Sequence, residues 1–203
     1  MIRNDSETTR AEAARIIANG GLIAFRTDTF YGLGADPLNA AAVGKIRELK
    51  GREDSKPILL LISDTDQLER FVGDHSGVFE QTAAVHWPGP LTLVGAARPE
   101  LPTQLTAGTN TIGVRLPDDQ NVRALVRACG GALTATSANV SGEPPARTAK
   151  EVEDYFPNID LIIDGGEVSA TEPSTVLDLS NAQPRLVREG AITRAALGDL
   201  LKY

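Results

Sequence analysis

Short apolar runs recur along this chain, and what separates them changes from one half to the other. "LIAF" (22–25), "PILLLI" (57–62), "LTLVGAA" (91–97), "TIGVRLP" (111–117), "ALTAT" (132–136), "LIID" (161–164), "STVLDL" (174–179) and "PRLVRE" (184–189) have the length and composition of strands. In the first two thirds most are separated by stretches with helical spacing, whereas toward the C-terminus strands follow one another through turns. Helical crossovers pair strands in parallel and tight turns pair them antiparallel. The pattern therefore predicts an α/β fold, a twisted mixed sheet flanked by helices, with residues 1–203 as one domain.

The intervening segments carry helix signals. "TTRAEAARIIANGG" offers Thr8 or Thr9 as a cap, Ala14, Ile17 and Ala18 on one face, and Gly20 and Gly21 as the stop. A second helix is expected from Asn39 to Leu49, others over "TDQLERFV", "SGVFEQTAAVHW" and "NVRALVRAC", and Thr148 with Glu151 forms a capping-box pattern. Thr193 caps a final helix in which Ala196, Leu197, Leu200 and Leu201 are expected to face inward.

Bulk properties exclude several classes. The first 25 residues mix acids and bases without a long apolar block, so neither a signal peptide nor a membrane span is expected, and the expected location is cytoplasmic. Cys129 is the only cysteine, which rules out an internal disulfide and a cysteine cluster for zinc, and its apolar setting predicts an inert thiol. His75 and His86 lie near no other ligand pattern. A net charge of −7 disfavours a dedicated nucleic-acid binder, so the grouping of the 20 basic residues carries the argument.

Three polar stretches sit where α/β folds place ligands. "RTDTFYGLGAD" (26–36) supplies hydroxyls from Thr27, Thr29 and Tyr31 and two glycines, and reads equally as a glycine turn capped by Asp28. "ELKGREDSKP" (48–57) gathers Lys50, Arg52 and Lys56, either as a solvated helix end or as donors to a phosphate. "TATSANVSGEPPA" (134–146) holds an Asn-X-Ser sequon at Asn139, a polar turn, or a phosphate contact through Thr136, Ser137 and Asn139. Neither a Walker loop nor a G-x-G-x-x-G follows a strand, and Ser137 lacks the G-x-S-x-G setting of an acyl-transfer nucleophile. Arg115 and Arg188 stand within strand-like runs, where each must point outward or find an anion.

With these stretches in order, the chain resembles the YrdC-like family over roughly residues 8–197, and within it the stand-alone threonylcarbamoyl-AMP synthases. The resemblance rests on "TDTFYGLGAD", "LKGREDSKPILLL", "WPGPLTLV", "TIGVRLP", "TSANVSG", "STVLDL" and "VREGAI". It implies a nucleotidyltransferase that joins L-threonine and bicarbonate (or CO2) to the AMP moiety of ATP, releasing pyrophosphate, with Mg2+ arriving on the ATP. The product would supply a separate transferase complex that modifies tRNA, with direct tRNA contact as a further implied partner. Family positions map ATP binding onto Lys50, Arg52, Lys56, Thr111, Ser137, Asn139 and Arg188, with Lys50 and Arg52 as the electrostatic pair and no protein nucleophile. Threonine binding maps onto Thr29, Arg115, Ser174 and the backbone near Ala135, with Arg115 facing the carboxylate.

Departures from the family pattern are Leu61 where longer relatives carry histidine, Arg26 in place of proline, and Pro145 in place of serine. The longer forms also have a C-terminal domain beyond the position of Tyr203, so closure of the cleft is here expected from the YrdC-like domain itself or from a partner. Two other readings compete: a YrdC-like RNA-binding module without synthase activity, and the carbamoyl-adenylate chemistry of hydrogenase-maturation proteins. Aromatic residues at 4% leave few stacking platforms for RNA.

Overall fold

The computed structural model describes residues 1–51 and 57–198. In chain order they form β1 (Ile2–Asn4), α1 (Glu7–Ala18), β2 (Ile23–Arg26), β3 (Tyr31–Gly34), α2 (Ala40–Lys50), β4 (Leu59–Ile62), α3 (Gly77–His86), β5 (Leu91–Ala96) and α4 (Thr103–Thr106). Then come β6 (Thr111–Arg115), α5 (Gln120–Ala128), β7 (Ala132–Ser137), α6 (Ala149–Tyr155), β8 (Leu161–Asp164), β9 (Thr175–Asp178), β10 (Arg185–Arg188) and α7 (Arg194–Leu197). The strands join one sheet in the order β1-β8-β2-β3-β7-β4-β6-β5-β9-β10, with β1, β8 and β2 parallel and the β2–β3 and β9–β10 pairs antiparallel. The mixed sheet flanked by helices is thus present.

Strand alternation distributes the core over both faces. Ile23 and Phe25 of β2, Leu61 of β4, Leu133 of β7 and Leu161 and Ile163 of β8 pack with Ala13 and Ile17 of α1 and Val122, Leu125 and Val126 of α5. Their neighbours Ala24, Leu60, Ile62, Ala132 and Ile162 turn to the other face, against Val43 and Ile46 of α2, Phe79 of α3 and Val152 of α6. Among the described residues no helix is long and apolar enough to cross a membrane.

Several local expectations are corrected. Ser6, not Thr8 or Thr9, caps α1, its hydroxyl accepting from the Thr9 amide at 3.2 Å. Consequently the buried stripe falls on Thr9, Ala13 and Ile17, and Ala18 is exposed. Residues Thr65–Arg70 form a 3-10 helix. The edge strand β1 and the glycine-rich β3 were not foreseen as strands. Thr193 does cap α7, but Ala196 is exposed and Leu197 alone is buried there; Leu200 and Leu201 lie outside the described residues. The capping box at Thr148 and Glu151 is formed as expected.

Candidate functional site

Helices α1 and α5 cover their face of the sheet as far as Leu61, and beyond it the same face opens into a cleft of about 200 Å³. Cross-strand partners share a face, which explains what lines it. Leu61 lies beside Arg115, Leu59 beside Ala135, and Gly32 beside Ser137. Thr29, Thr92, Ser174 and Arg188 are among its further polar lining residues.

The β2–β3 connection reaches across this face. Its first residue, Thr27, organises the turn: Oγ1 donates to the Phe30 carbonyl at 2.6 Å and accepts from the amides of Thr29 and Phe30. Because the single Thr27 hydroxyl proton is engaged, Thr29 Oγ1 is the donor in their 3.1 Å contact, and its lone pairs remain for the cleft. Between them, Asp28 meets Arg115, which sits on β6, separated from the β2–β3 hairpin by β7 and β4. Both carboxylate oxygens take Nη1 of Arg115, at 2.6 and 2.7 Å. Nε and Nη2 of Arg115 have no partner among the described residues, and neither is fully sealed from solvent.

The opposite wall is Arg188. Its Nε and Nη2 donate to the Ser174 carbonyl at 3.1 and 2.8 Å, and Nη2 also reaches Ser174 Oγ. Ser174 Oγ contacts Thr92 Oγ1 at 3.0 Å. Although Arg188 as a residue is exposed, burial of its guanidinium and the like charge of Arg115 hold its pKa below the ordinary value. The adjoining turn is fixed by Thr175, whose Oγ1 donates to the Ile192 carbonyl and accepts from the amides of Gly190 and Ile192.

Not every mapped residue faces this cleft. Lys50 is buried at the C-terminal end of α2, and its ammonium donates to the carbonyls of Ser137 and Asn139 and to Asn139 Oδ1. Asn139 is buried too; its Nδ2 donates to the carbonyls of Val140 and Glu143. Lys50 and Asn139, expected at the phosphates, here form a shared structural unit, since a buried ammonium needs several acceptors and the turn after β7 provides them. With both ends of its amide engaged, Asn139 offers nothing to a glycan. Ser137 is exposed at the tip of that unit, lines the cleft, and its hydroxyl has no partner among the described residues.

Thr111 opens β6, four residues and roughly 13 Å along the strand from Arg115, and its hydroxyl contacts that of Thr109 at 2.9 Å. Arg52 and Lys56 lie outside the described residues. Thus Thr29, Arg115, Ala135, Ser137, Ser174 and Arg188 are brought together, and Thr111, Lys50 and Asn139 are not among the lining residues.

Sequence reading missed Asp28 as a partner of Arg115, since Asp in a turn carries the same signature as a local cap. Thr92 escaped notice within an apolar run. Tyr31, read as a hydroxyl source, instead donates to Asp164 and the Gly166 carbonyl, and burial with the Asp164 charge raises its pKa. Arg26 pairs with Asp119 at 2.8 Å, tying β2 to the cap of α5. The Cys129 thiol is pushed up to about 12 by burial. Among the described residues no group of three His, Cys, Asp or Glu side chains is placed to hold a metal ion.

Among the described residues, a ten-stranded mixed sheet whose open face presents two guanidiniums among threonine and serine hydroxyls defines an α/β protein with a cationic cleft. The chain belongs to the Sua5/YciO/YrdC family, whose model, described as telomere recombination, matches residues 15–190. It is 40% identical over 181 residues to a threonylcarbamoyl-AMP synthase of Pyrococcus abyssi, covering 89% of this chain and 53% of that relative. A relative of the same name from Idiomarina loihiensis is 40% identical over 175 residues, 85% of this chain and 94% of its own length. The crystal structure of Pyrococcus abyssi Sua5 complexed with L-threonine superimposes with a TM-score of 0.94 at 36% identity, covering 98% of this chain and 60% of that one. The chain therefore spans just over half of the Pyrococcus protein and nearly all of the Idiomarina one.

Proposed function

We propose that this protein is a threonylcarbamoyl-AMP synthase, a nucleotidyltransferase that converts L-threonine, bicarbonate or CO2, and ATP to threonylcarbamoyl-AMP and pyrophosphate. The observation that carries the reading is the half-engaged guanidinium of Arg115, beside the acceptor hydroxyl of Thr29, in a family whose Pyrococcus member is known in complex with L-threonine. The free Nε and Nη2 edge matches a carboxylate in bidentate geometry. Thr29 Oγ1 offers lone pairs to an amine, while Ser174 and the Ala135 backbone bound the same space.

In the reaction the threonine amine adds to CO2, losing a proton to give a carbamate. A carbamate oxygen then attacks the α-phosphorus and pyrophosphate leaves, so no protein nucleophile is needed. What the chain contributes is alignment of two anions that repel each other. Ser137, presented by the turn that Lys50 and Asn139 hold, faces the phosphates together with the remaining Nη1 of Arg188. Arg52 contributes its charge to the phosphates, and Thr111 and Lys56 take further nucleotide contacts. Magnesium would arrive as part of the Mg·ATP substrate and would offset part of its phosphate charge. The product serves a separate transferase acting on tRNA, and the site of action is the cytoplasm.

Pyrophosphate release by the purified protein tests this. It is expected to require threonine, bicarbonate and ATP together; release that ignores threonine, or salt-steep tRNA binding with no ATP consumption, overturns it.

A further inference from the structure

Among the described residues the charged ones lining the cleft are Arg115 and Arg188, and Asp28 closes on the first of them from the β2–β3 turn. We propose that Asp28 is the positioning residue of the carboxylate subsite: it fixes which edge of Arg115 is offered and sets the subsite to accept a monoanion in preference to a dianion. The inference deepens the synthase reading and rests on its placing the substrate carboxylate at Arg115.

Two observations support it. Asp28 uses both oxygens on Nη1 alone, so the guanidinium is held at one corner while Nε and Nη2 stay available as a parallel pair of donors. Among the described residues, two guanidiniums and one carboxylate leave a single positive charge beside an incoming carboxylate, which favours a monoanion there. Burial first and the like charge of Arg115 second hold the pKa of Arg188 below its ordinary value, in keeping with two cations on one cleft. The Asp28 carboxylate also stands against any second negative group on the ligand, as in a dicarboxylic amino acid. Its position is not adjustable, since Thr27 pins the turn on both sides of it.

Calorimetric titration of the wild type, Asp28→Asn and Asp28→Glu with L-threonine and with inorganic sulfate as the dianion probe tests the role, alongside thermal unfolding. Asp28→Asn is expected to bind threonine at least tenfold more weakly and sulfate at least tenfold more tightly, with Asp28→Glu recovering the wild-type order of preference. A folded Asp28→Asn protein that binds both anions as the wild type does, or loses both alike, overturns the proposal. If Asp28→Asn fails to fold, Asp28→Glu decides: retained rejection of sulfate with weakened threonine binding supports it, and unchanged affinity for threonine refutes it. Absence of threonine-dependent pyrophosphate release in the wild type would sink the synthase reading, while the sulfate titration would still report on Asp28.

Discussion

Lys50 and Asn139, 89 residues apart in the chain, meet as one buried unit: the lysine ammonium donates to the asparagine carbonyl at 2.8 Å and to its Oδ1 at 3.3 Å. A third acceptor is the Ser137 carbonyl. The end of α2 is thereby fastened to the turn that presents Ser137.

Replacing Lys50 with methionine keeps the stem and removes the donors. Two buried acceptors and a part-buried third then lose a partner, at about 1–3 kcal/mol for each buried group left unsatisfied. Lys50→Met is expected to lower the urea midpoint by at least about 2 kcal/mol equivalent and to raise the KM for ATP more than that for threonine. A variant as stable as the wild type, with only kcat reduced, would instead place the ammonium on the phosphates during turnover.

Arg115 has two duties that substitution can separate. Arg115→Ala removes the threonine contact and leaves the Asp28 carboxylate, largely buried, without its counter-charge; breaking such a pair costs about 3–5 kcal/mol when fully buried and less here. Arg115→Lys keeps the charge but lacks the second edge of donors. Both are expected to raise the threonine KM at least tenfold, with only the alanine variant losing several degrees of Tm. Unchanged threonine KM in the lysine variant would count against bidentate binding.

How much of this was legible in sequence depends on whether the determining partner was local. The strand and helix periodicities needed only near neighbours, and so the mixed sheet was readable. β3 was not, because Gly32 and Gly34 make "YGLG" look like a turn. Gly34 is there since a Cβ would sit 2.8 Å from the Phe25 ring on the paired strand, a constraint set by packing. Arg115 and Arg188 stand out as cations within strand-like runs and Ser174 through family resemblance, but the partner that orients Arg115 lies 87 residues away and resembles an ordinary turn aspartate. Burial of Lys50 was equally invisible, since its acceptors are backbone carbonyls of no particular residue type.

The turn beside Arg188 gives a steric prediction. A Cβ on Gly190 would lie 2.2 Å from the Pro173 carbonyl oxygen, and backbone cannot yield as a side-chain tip can. Gly190→Ala is expected to displace the turn and with it Arg188, lowering activity at least tenfold. Thr175→Val removes the hydroxyl that fixes the amides of Gly190 and Ile192 and is expected to cost about 1–3 kcal/mol, read from urea unfolding. Full activity in Gly190→Ala would show that Arg188 is placed independently of this turn.

Alkaline titration tests the packing behind α5. Burial raises the Cys129 thiol from an ordinary 9.0 to about 12, so the folded state keeps the proton where the unfolded chain has released it. Stability from this group is complete below pH 9.0 and is lost as pH rises through the interval to about 12, because there the unfolded state binds fewer protons. Tyr31, also raised, adds to the loss from about pH 10 upward. Cys129→Ala is therefore expected to flatten the decline in Tm above pH 9.0 relative to its own value at pH 7, leaving the Tyr31 component. At pH 8 the raised pKa keeps the native thiol protonated, so a disulfide reagent should label it more slowly than free cysteine and rapidly only after denaturation. Prompt labelling of the folded protein would mean that the thiol opens to solvent and that the C-terminal end of α5 is not packed as described.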